Sequence, residues 1–297
     1  MSRTLSPSSN QPYGVARVVS LWGLARSSFY AARQRQLQPR EPHKRGPKVH
    51  SDEELVAAIR QLLAEPVFTG EGYRKVWARL RHHGMRTSKD RVLRLLREHQ
   101  LLSPSRQPTP MRSHPHEGTI VTESPNQMWG TDATATFTDA EGAVTVFAAI
   151  DHCTAECVGI HVVKRATRFE ALEPIRQGVK EHFGAFAAGS AAGLLLRHDH
   201  GSVYMSDDFQ TEIQFLGIEP SPAFVRQPEG NGCIERFFRT LKEQLLWIRR
   251  FRDLEELRLA LVEFRDRYNQ HWILQRLGYR TPAQARRDFS VEFEVAA

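Results

Sequence analysis

Residues 128–163 contain three strand-like runs in close succession, and these runs decide the predicted fold: MWGTDATATFT (128–138), VTVFAAI (144–150) and CVGIHVV (157–163). The first run alternates in polarity, as a half-buried strand does, whereas the second is apolar throughout, as in a central strand buried on both faces. Because the connections between the runs are short, we expect the three strands to form an antiparallel meander.

Helices and short strands alternate in the chain beyond this meander. A capping-box pattern at Thr167–Glu170 predicts a helix that ends near Gly184. The run LLLRHD (194–199) predicts a fourth strand, and a fifth is expected near Ile218–Phe224. Further helices are expected after Ser206, at about 231–248 and at about 253–270. This order matches the ribonuclease-H-like architecture, an α/β fold in which helices flank a mixed five-stranded sheet.

Three acidic residues depart from the usual surface pattern of the chain. Asp132 lies inside the first strand, Asp199 ends the fourth strand, and Glu235 lies beside two phenylalanines in a helix. Burying a carboxylate is costly unless a cation balances its charge. Asp151 also ends a strand, but a hydrogen-bonded turn explains this residue better than a metal contact does.

Divalent cations give a reason for a group of three carboxylates. Hard cations such as Mg²⁺ prefer carboxylate oxygens. Two ions about 3.5–4 Å apart activate the attacking oxygen and stabilise the leaving oxygen in phosphoryl transfer. We therefore predict that Asp132, Asp199 and Glu235 are both catalytic residues and ligands of two Mg²⁺ ions, with Mn²⁺ as a substitute. Asp132 and Asp199 are expected to bridge the ions, and Glu235 to complete one site.

Three segments around these acids carry a family resemblance. They are NQMWGTDAT (126–134), RHDHGSVYMS (197–206) and NGCIERFFRTLKEQL (231–245). Asp199 and Glu235 are separated by 35 residues. Together the segments and the spacing resemble the D,D(35)E catalytic core of retroviral integrases and bacterial insertion-sequence transposases, in particular transposases whose catalytic part is often encoded in a second reading frame.

The resemblance extends outward from the core to cover roughly residues 15–285. The segment at 68–102 resembles the helix-turn-helix that precedes this core, and residues 265–284 resemble its closing segment. The chain departs from the family at Arg236, where serine is common, and at HWILQR (271–276), which lacks the usual Arg-Pro-His. These departures concern contacts with DNA rather than the metal ligands.

The resemblance implies a function and a set of partners. The expected activity is metal-dependent cleavage at the ends of an insertion sequence, followed by attack of the exposed 3′-hydroxyl on another phosphodiester. The expected partners are double-stranded DNA, as terminal inverted repeats and target DNA, and further copies of the chain in a dimer or larger assembly on paired ends. A protein from an upstream reading frame is a further expected partner.

The helix that carries Glu235 has a basic face. Glu235, Arg239 and Lys242 are spaced by four and three residues, so they share one side of the helix. That side places two cations beside the predicted metal site, where DNA phosphates must approach. The family has a DNA-contacting basic residue seven positions after the glutamate, and Lys242 matches it. We therefore predict DNA contacts for Arg239 and Lys242.

The first part of the chain is basic and reads as a DNA-binding region. Residues 1–118 carry a net charge of +12 and residues 119–297 a net charge of −5, which favours a polyanion as partner of the first part. Two helices around the turn MRTS (85–88) fit a helix-turn-helix whose second helix enters the major groove. The polar face of this second helix predicts DNA contacts for Lys89, Arg91, Arg94 and Arg97. A helical hairpin with a basic surface is the alternative.

The domain organisation follows from these elements and from two proline-rich stretches. The predicted segments are 1–50, a short helix-turn-helix-like segment with a basic linker; 51–102, the helix-turn-helix DNA-binding domain; 103–122, a linker; 123–250, the catalytic core; and 251–297, a C-terminal helix and tail.

Composition restricts where the protein acts. The chain has three cysteines, no run of about 18 apolar residues, and an N-terminus, MSRTLSPSSN, without the apolar core of a secretory signal. These features predict a protein of the bacterial cytoplasm, associated with the nucleoid and not with a membrane.

Two other functions fit parts of the sequence. A repressor that binds its own element without chemistry would need only the basic first part, and the intact set of three acids argues against it. A structure-specific nuclease could use the same fold, but the helix-turn-helix and Lys242 favour an enzyme that transfers strands.

Overall fold

The computed structural model describes residues 4–37, 49–64, 66–104, 122–222 and 231–296. Three parts of the sequence predictions lie outside these described residues, namely 38–48 of the basic linker, 105–121 of the second linker and 223–224 of the fifth strand. The chain divides into two compact units, residues 1–49 and residues 50–297.

The first unit contains two helices, α1 (Val15–Leu21) and α2 (Arg26–Leu37). Between them Gly23 has a φ of 63°, a conformation that glycine adopts without a steric penalty. The described part of the segment predicted to be helix-turn-helix-like therefore contains two helices joined by a glycine turn.

The second unit begins with three helices, α3 (Asp52–Ala64), α4 (Tyr73–His82) and α5 (Lys89–Glu98). The capping box at the start of α3 is formed, because the Glu54 backbone N–H donates to Ser51 Oγ at 3.1 Å and the Ser51 N–H to Glu54 Oε2 at 2.9 Å. Ser88 caps α5 by accepting a hydrogen bond from the Arg91 N–H. A common core holds the helices together and contains Leu55, Ile59, Val76, Leu80, Val92, Leu95 and Leu96. The predicted helix-turn-helix is thus present as α4 and α5.

A five-stranded mixed sheet forms the centre of the second unit. Its strands are β1 (Met128–Thr138), β2 (Gly142–Asp151), β3 (Cys157–Val163), β4 (Leu195–His198) and β5 (Glu219–Pro222), in the spatial order β3-β2-β1-β4-β5. The first three strands pair antiparallel, and β1–β4 and β4–β5 pair parallel. This topology confirms the expected meander and the expected mixed sheet.

Helices cover both faces of this sheet. They are α6 (Arg168–Phe183), α7 (Asp207–Phe215), α8 (Gly232–Leu241), α9 (Leu254–His271) and α10 (Pro282–Ala296), with a π-helical turn at Lys242–Leu246 and a 3₁₀ turn at Gln275–Leu277. Side chains of α6 and α7 form one apolar cluster with Trp129 and Phe147, whereas α8 and α9 form another with Val146 and Ile150. Phe147 and Val146 are neighbours in one strand, so the two clusters lie on opposite faces.

Within the described ranges, every helix falls short of the length and apolar character that a bilayer crossing requires.

Candidate active site

Strand register brings Asp132 and Asp199 side by side. In the parallel pairing of β1 with β4, Gly130 is the partner of Arg197. Two residues further along each strand lie Asp132 and Asp199, the latter just beyond the end of β4. Because side chains two residues apart lie on the same face, and neighbouring strands are about 4.8 Å apart, the two carboxylates lie next to each other on one face of the sheet.

The same face receives the start of α8. The side-chain amide of Asn231, directly before the helix, donates to the carbonyl of Thr131 at 3.1 Å. Space for this contact exists because residue 130 is glycine: a Cβ there would lie 2.8 Å from Asn231 Oδ1 and 2.7 Å from His152 Nε2. Thr131 immediately precedes Asp132, so the helix is anchored one residue away from this acid. Glu235, in the first turn of α8, is thereby held near the part of the sheet where β4 ends and where Asp132 and Asp199 lie, which we call the sheet edge.

The pKa of Asp132 responds to the charges of the other two acids. Burial is the largest cause that raises this pKa, the negative charges of Asp199 and Glu235 add to it, and the result is a pKa of about 6 despite a hydrogen bond from the Ala133 N–H and the charge of Lys242, which lower it. Burial also raises the pKa of Glu235, which Arg236 opposes. Asp199 and Glu235 therefore add to the cost of ionising Asp132.

A backbone contact orients Asp199. The N–H of Gly201 donates to Asp199 Oδ1 at 2.8 Å. A Cβ at residue 201 would lie 2.9 Å from the same oxygen, so a larger residue would displace the carboxylate. The short loop after β4 therefore fixes one oxygen of Asp199 and requires glycine to do so.

The donor set of this site fits divalent cations. Within the described parts of the chain, none of the three acids forms a salt bridge with a protein cation. Three neighbouring carboxylates without a salt-bridged partner are ligands that Mg²⁺ or Mn²⁺ prefers.

A second acidic group in the described residues is already neutralised by protein cations. Glu156, Glu181 and His182 offer ligand atoms within 4.8 Å of one another. Glu156 forms an ion pair with Arg286, however, and Glu181 with Arg265 at 3.5 Å. Burial lowers the pKa of His182 to about 4, so this imidazole is neutral. We interpret the group as a structural ion-pair cluster.

Asp151 is a turn residue, as expected, and not a fourth acid of the site. Its Oδ1 accepts from the Thr154 N–H at 2.7 Å and from the Thr154 hydroxyl at 2.9 Å, and its Oδ2 accepts from the Asn126 N–H at 2.7 Å. The two bonds from Thr154 hold the turn after β2 in place, and the bond from Asn126 ties this turn to the segment before β1.

The two basic residues of α8 and the following turn differ in their partners. Arg239 Nε donates to Glu243 Oε1 at 3.1 Å on the helix surface. Lys242 lies close enough to Asp132 to lower the pKa of that acid, and its ammonium group makes no hydrogen bond or ion pair with the described residues. Lys242 is thus a cation that the fold brings close to Asp132.

The four basic residues predicted on α5 are mostly engaged within the protein. Asp52 forms ion pairs with both Arg91 and Arg94. Arg91 also donates to the His50 carbonyl at 2.8 Å, and Arg94 donates to Glu98 at 2.6 Å. Lys89 lies over the rings of Trp77 and Tyr279, at 4.5 Å and 4.9 Å from their centroids.

Arg97 is the exception among the four. It is exposed and has no polar partner in the described part of the chain. Its side chain is therefore available to a ligand without the loss of a protein contact.

Sequence reasoning gave no role to several residues that shape this site. Asn231 and Gly201 lie inside the quoted motif segments, but their contacts depend on strand register and helix placement. Tyr204 is buried and stacks on His198 with the ring centroids 5.8 Å apart. Its motif position was the available signal, since the burial of a tyrosine beside two acids follows only from the fold.

Comparisons with known proteins agree with this arrangement. Models described as "Integrase core domain" match residues 122–228 and 216–282, and one described as "HTH-like domain" matches residues 50–109. The transposase InsD of insertion element IS2A/D/F/H/I/K from Escherichia coli is 29% identical over 243 residues, which cover 79% of this chain and 79% of the relative. InsD of IS2D from Escherichia coli strain K12 matches equally well.

Two solved structures that match the chain contain viral proteins. A chain of the simian T-cell lymphotropic virus intasome in complex with PP2A regulatory subunit B56 gamma has a TM-score of 0.47 and 20% identity, covering 77% of this chain and 74% of that chain. The catalytic core domain of BIV integrase has a TM-score of 0.41 and 19% identity, covering 57% and 99%. The assignment below rests on the sequence matches.

An HTH-like domain followed by an integrase core defines a polynucleotidyl transferase of the divalent-metal-dependent integrase class. Within that class, the match to InsD over most of both chains identifies the protein further. The chain is an insertion-sequence transposase with an integrase-like, DDE-type core.

Proposed function

We propose that Asp132, Asp199 and Glu235 are the catalytic acids of this transposase and that they hold two Mg²⁺ ions. The observation that carries the proposal is the register of β1 and β4, which aligns Asp132 with Asp199 on the face that receives the start of α8. The absence of any protein salt bridge to these three described acids supports it. Mn²⁺, which accepts the same oxygen donors, can substitute.

Each acid has a distinct task in this proposal. Asp132 and Asp199, adjacent on neighbouring strands, would provide ligands for both ions, and Glu235 would complete one site from α8. When bound, the pair of ions supplies an activated attacking oxygen and stabilises the leaving oxygen. Gly201 keeps Asp199 oriented through its N–H. Lys242, free beside the acids, binds a phosphate of the DNA next to the scissile bond, and Arg239 provides a second, weaker phosphate contact.

The reaction consists of two displacements at phosphorus. In the first, the oxygen of water forms a bond to phosphorus at the end of the element, and the bond from phosphorus to the 3′-oxygen breaks, leaving a 3′-hydroxyl. In the second, that 3′-hydroxyl bonds to a target phosphorus, and the target's own 3′-oxygen leaves with a proton. Neither step requires an oxidant or a reductant.

The substrates and the assembly follow from this chemistry. The DNA is the terminal inverted repeats and a target site, and two or more copies of the chain hold paired ends because both ends must react together. Residues 51–102 bind the ends, with Arg97 as the freest cation of α5, while residues 123–250 carry the acids. An upstream-frame protein is a further proposed partner. The bacterial origin of the relatives supports action in the cytoplasm, where the proposed substrate is the DNA of the nucleoid.

A strand-transfer assay with labelled end DNA tests this proposal against its alternatives. We expect cleaved and joined products in Mg²⁺ or Mn²⁺ and none in excess EDTA. Cleavage without joining would favour a structure-specific nuclease on the same fold. Binding of the ends without either product would favour a repressor and would contradict the roles given to the three acids.

A further inference from the structure

The helix that carries Glu235 changes its geometry directly after the catalytic face. Helix α8 ends at Leu241 and continues as the π-helical turn Lys242–Leu246, in which the Trp247 N–H donates to the Lys242 carbonyl at 2.9 Å. Such turns are rare and occur frequently at functional sites. Lys242 is the first residue of this turn, so the geometry of the turn affects where its ammonium group lies.

Gln244, in the middle of this turn, is bound by a residue of the HTH-like domain. Its Oε1 accepts from the Thr69 N–H at 2.9 Å and from the Thr69 hydroxyl at 3.2 Å, and its Nε2 donates to the Thr69 carbonyl at 2.9 Å. The two residues are 175 positions apart in the sequence. Gln244 is buried, so an unpaired amide or backbone group at this position would be costly.

The residue next to Thr69 strengthens the same connection. Phe68 is buried in the apolar cluster that contains residues of α8 and of α9. Its ring lies 4.8 Å from the ring of Trp272 and 6.4 Å from that of Phe264, measured between centroids. The segment between α3 and α4 is therefore packed into the catalytic core rather than lying on its surface.

The contact with Thr69 and the contact with DNA lie on different sides of the helix. Lys242 follows Glu235 by seven residues, about two turns, and so lies on the side of the acids. Gln244 follows Glu235 by nine residues and lies roughly half a turn away from that side. The HTH-like domain thus supports the back of the turn whose front presents Lys242.

We infer that Gln244 is a positioning residue that couples the HTH-like domain to the active site by fixing the turn from which Lys242 reaches the DNA. The inference rests on the phosphate-binding role proposed for Lys242. The HTH-like domain, which is proposed to bind the end of the element, is thereby connected to the turn that carries Lys242. The connection consists of the three hydrogen bonds between Thr69 and Gln244 and the buried ring of Phe68. Loss of these contacts would leave the three acids and the DNA-binding surface of the HTH-like domain intact, but it would allow the side chain of Lys242 to move.

The variant Gln244→Met tests the inference, because it removes all three hydrogen bonds while keeping the side-chain volume. We expect the single-turnover rate of strand transfer at saturating DNA to fall about 10- to 100-fold, the loss typical of a misplaced group, with affinity for end DNA unchanged within about twofold. Gln275→Ala is the matched control, since it removes the hydrogen bond from Arg74 between the same domains away from the turn. Equal losses in the two variants would overturn the inference.

A double-mutant cycle with Lys242→Ala separates positioning from a general structural effect. If Gln244 acts through Lys242, Gln244→Met has no further effect on the rate in the Lys242→Ala background. Multiplying losses would contradict the coupling while leaving the role of Lys242 intact. A Lys242→Ala variant as active as the wild type would instead reject that role, and with it the basis of the inference.

A milder variant keeps the inference testable if Gln244→Met does not fold. Thr69→Val removes only the hydroxyl contact and leaves both backbone bonds to Gln244. We expect a rate loss of about two- to fivefold, on the order of one weakened hydrogen bond, that disappears in the Lys242→Ala background. A loss that persists there would count against the coupling.

Discussion

Charged side chains meet very different partners at the edge of the sheet and on helix α5. At the sheet edge Asp132, Asp199 and Glu235 lie together, and none of these described acids forms a salt bridge with a protein cation. On α5, Arg91 and Arg94 both pair with Asp52, and hydrogen bonds from Arg94 and Arg91 hold the pKa of Asp52 at about 2.

The three acids have no salt-bridged partner among the described residues and are available to bind a ligand, whereas the charges of Asp52, Arg91 and Arg94 stabilise the fold through their ion pairs. Like charges gathered without salt-bridged partners raise the free energy of the protein, and a bound external cation relieves this cost. Charges that already have partners lose those contacts when they bind anything else. The two regions therefore predict opposite consequences of substitution, loss of chemistry at the sheet edge and loss of stability on α5.

The largest expected effect comes from Asp199→Asn. The neutral amide weakens metal binding between the strands, so cleavage and strand transfer should fall more than about 1000-fold, as for the loss of several kcal/mol of transition-state stabilisation. Binding of end DNA, measured by fluorescence anisotropy, should stay within about twofold. Asp207→Asn is the matched control, because Asp207 is an exposed acid in the first turn of α7. Equal loss of binding and cleavage would contradict the division of labour between the two regions.

A smaller effect is expected from Gly201→Ala, which leaves all three acids in place. The added Cβ would lie 2.9 Å from Asp199 Oδ1, so the carboxylate must move from its orientation. We expect Mn²⁺ affinity, measured by calorimetry, to fall about tenfold, as for other groups that orient a metal ligand. Gly232→Ala is the control, since a Cβ there meets no atom within 4 Å. An unchanged affinity in Gly201→Ala would show that this oxygen is not a ligand.

Much of the fold could be predicted from the sequence because local patterns and the long-range structure agree. The alternation in β1 and the continuous apolar run in β2 reflect their burial, and the turns between the first strands leave little choice of topology. The capping residues Ser51, Ser88 and Thr167 mark true helix starts. The π-helical turn at Lys242–Leu246 could not be predicted, because its residues read as ordinary helix and the Thr69 contact of its Gln244 joins positions 175 apart.

The candidate site was less predictable than the fold, since its contacts join distant segments. The acidic residues could be proposed because a carboxylate in a strand interior violates the local pattern. Asp52 shows the limit of such reasoning. It reads as an acid of the first turn of α3, and nothing in the sequence reveals that the helix places it between Arg91 and Arg94. A basic helix face therefore indicates charge but does not show which cations are free.

The pH dependence of stability in the metal-free protein sharpens the comparison at Asp132. Its pKa in the folded state, about 6, lies above the usual value, so ionisation opposes folding. Stability from this group is fully present below about pH 4 and is lost as the pH rises through 6. In EDTA at pH 8, Asp132→Asn should be about 1–2 kcal/mol more stable than the wild type to urea, allowing for partial solvent screening, and equally stable at pH 4. Lower stability of the variant at pH 8 would contradict the claim that the ionised Asp132 carboxylate destabilises the metal-free protein.

The smallest effect is expected on α5, where single arginines are compared. Arg97→Ala removes a cation without a partner in the described residues. End-DNA affinity should fall about three- to tenfold, the slope of log affinity against log salt should decrease by about 1, and the melting temperature should not change. Replacing Arg91 and Arg94 together should also weaken binding, but with a lower melting temperature, because α3 and α5 lose their shared contact at Asp52. A salt slope reduced by about 2 in that pair, with an unchanged melting temperature, would show that both arginines leave Asp52 for phosphate. The contrast between the two regions would then be wrong for α5 and would hold only at the sheet edge.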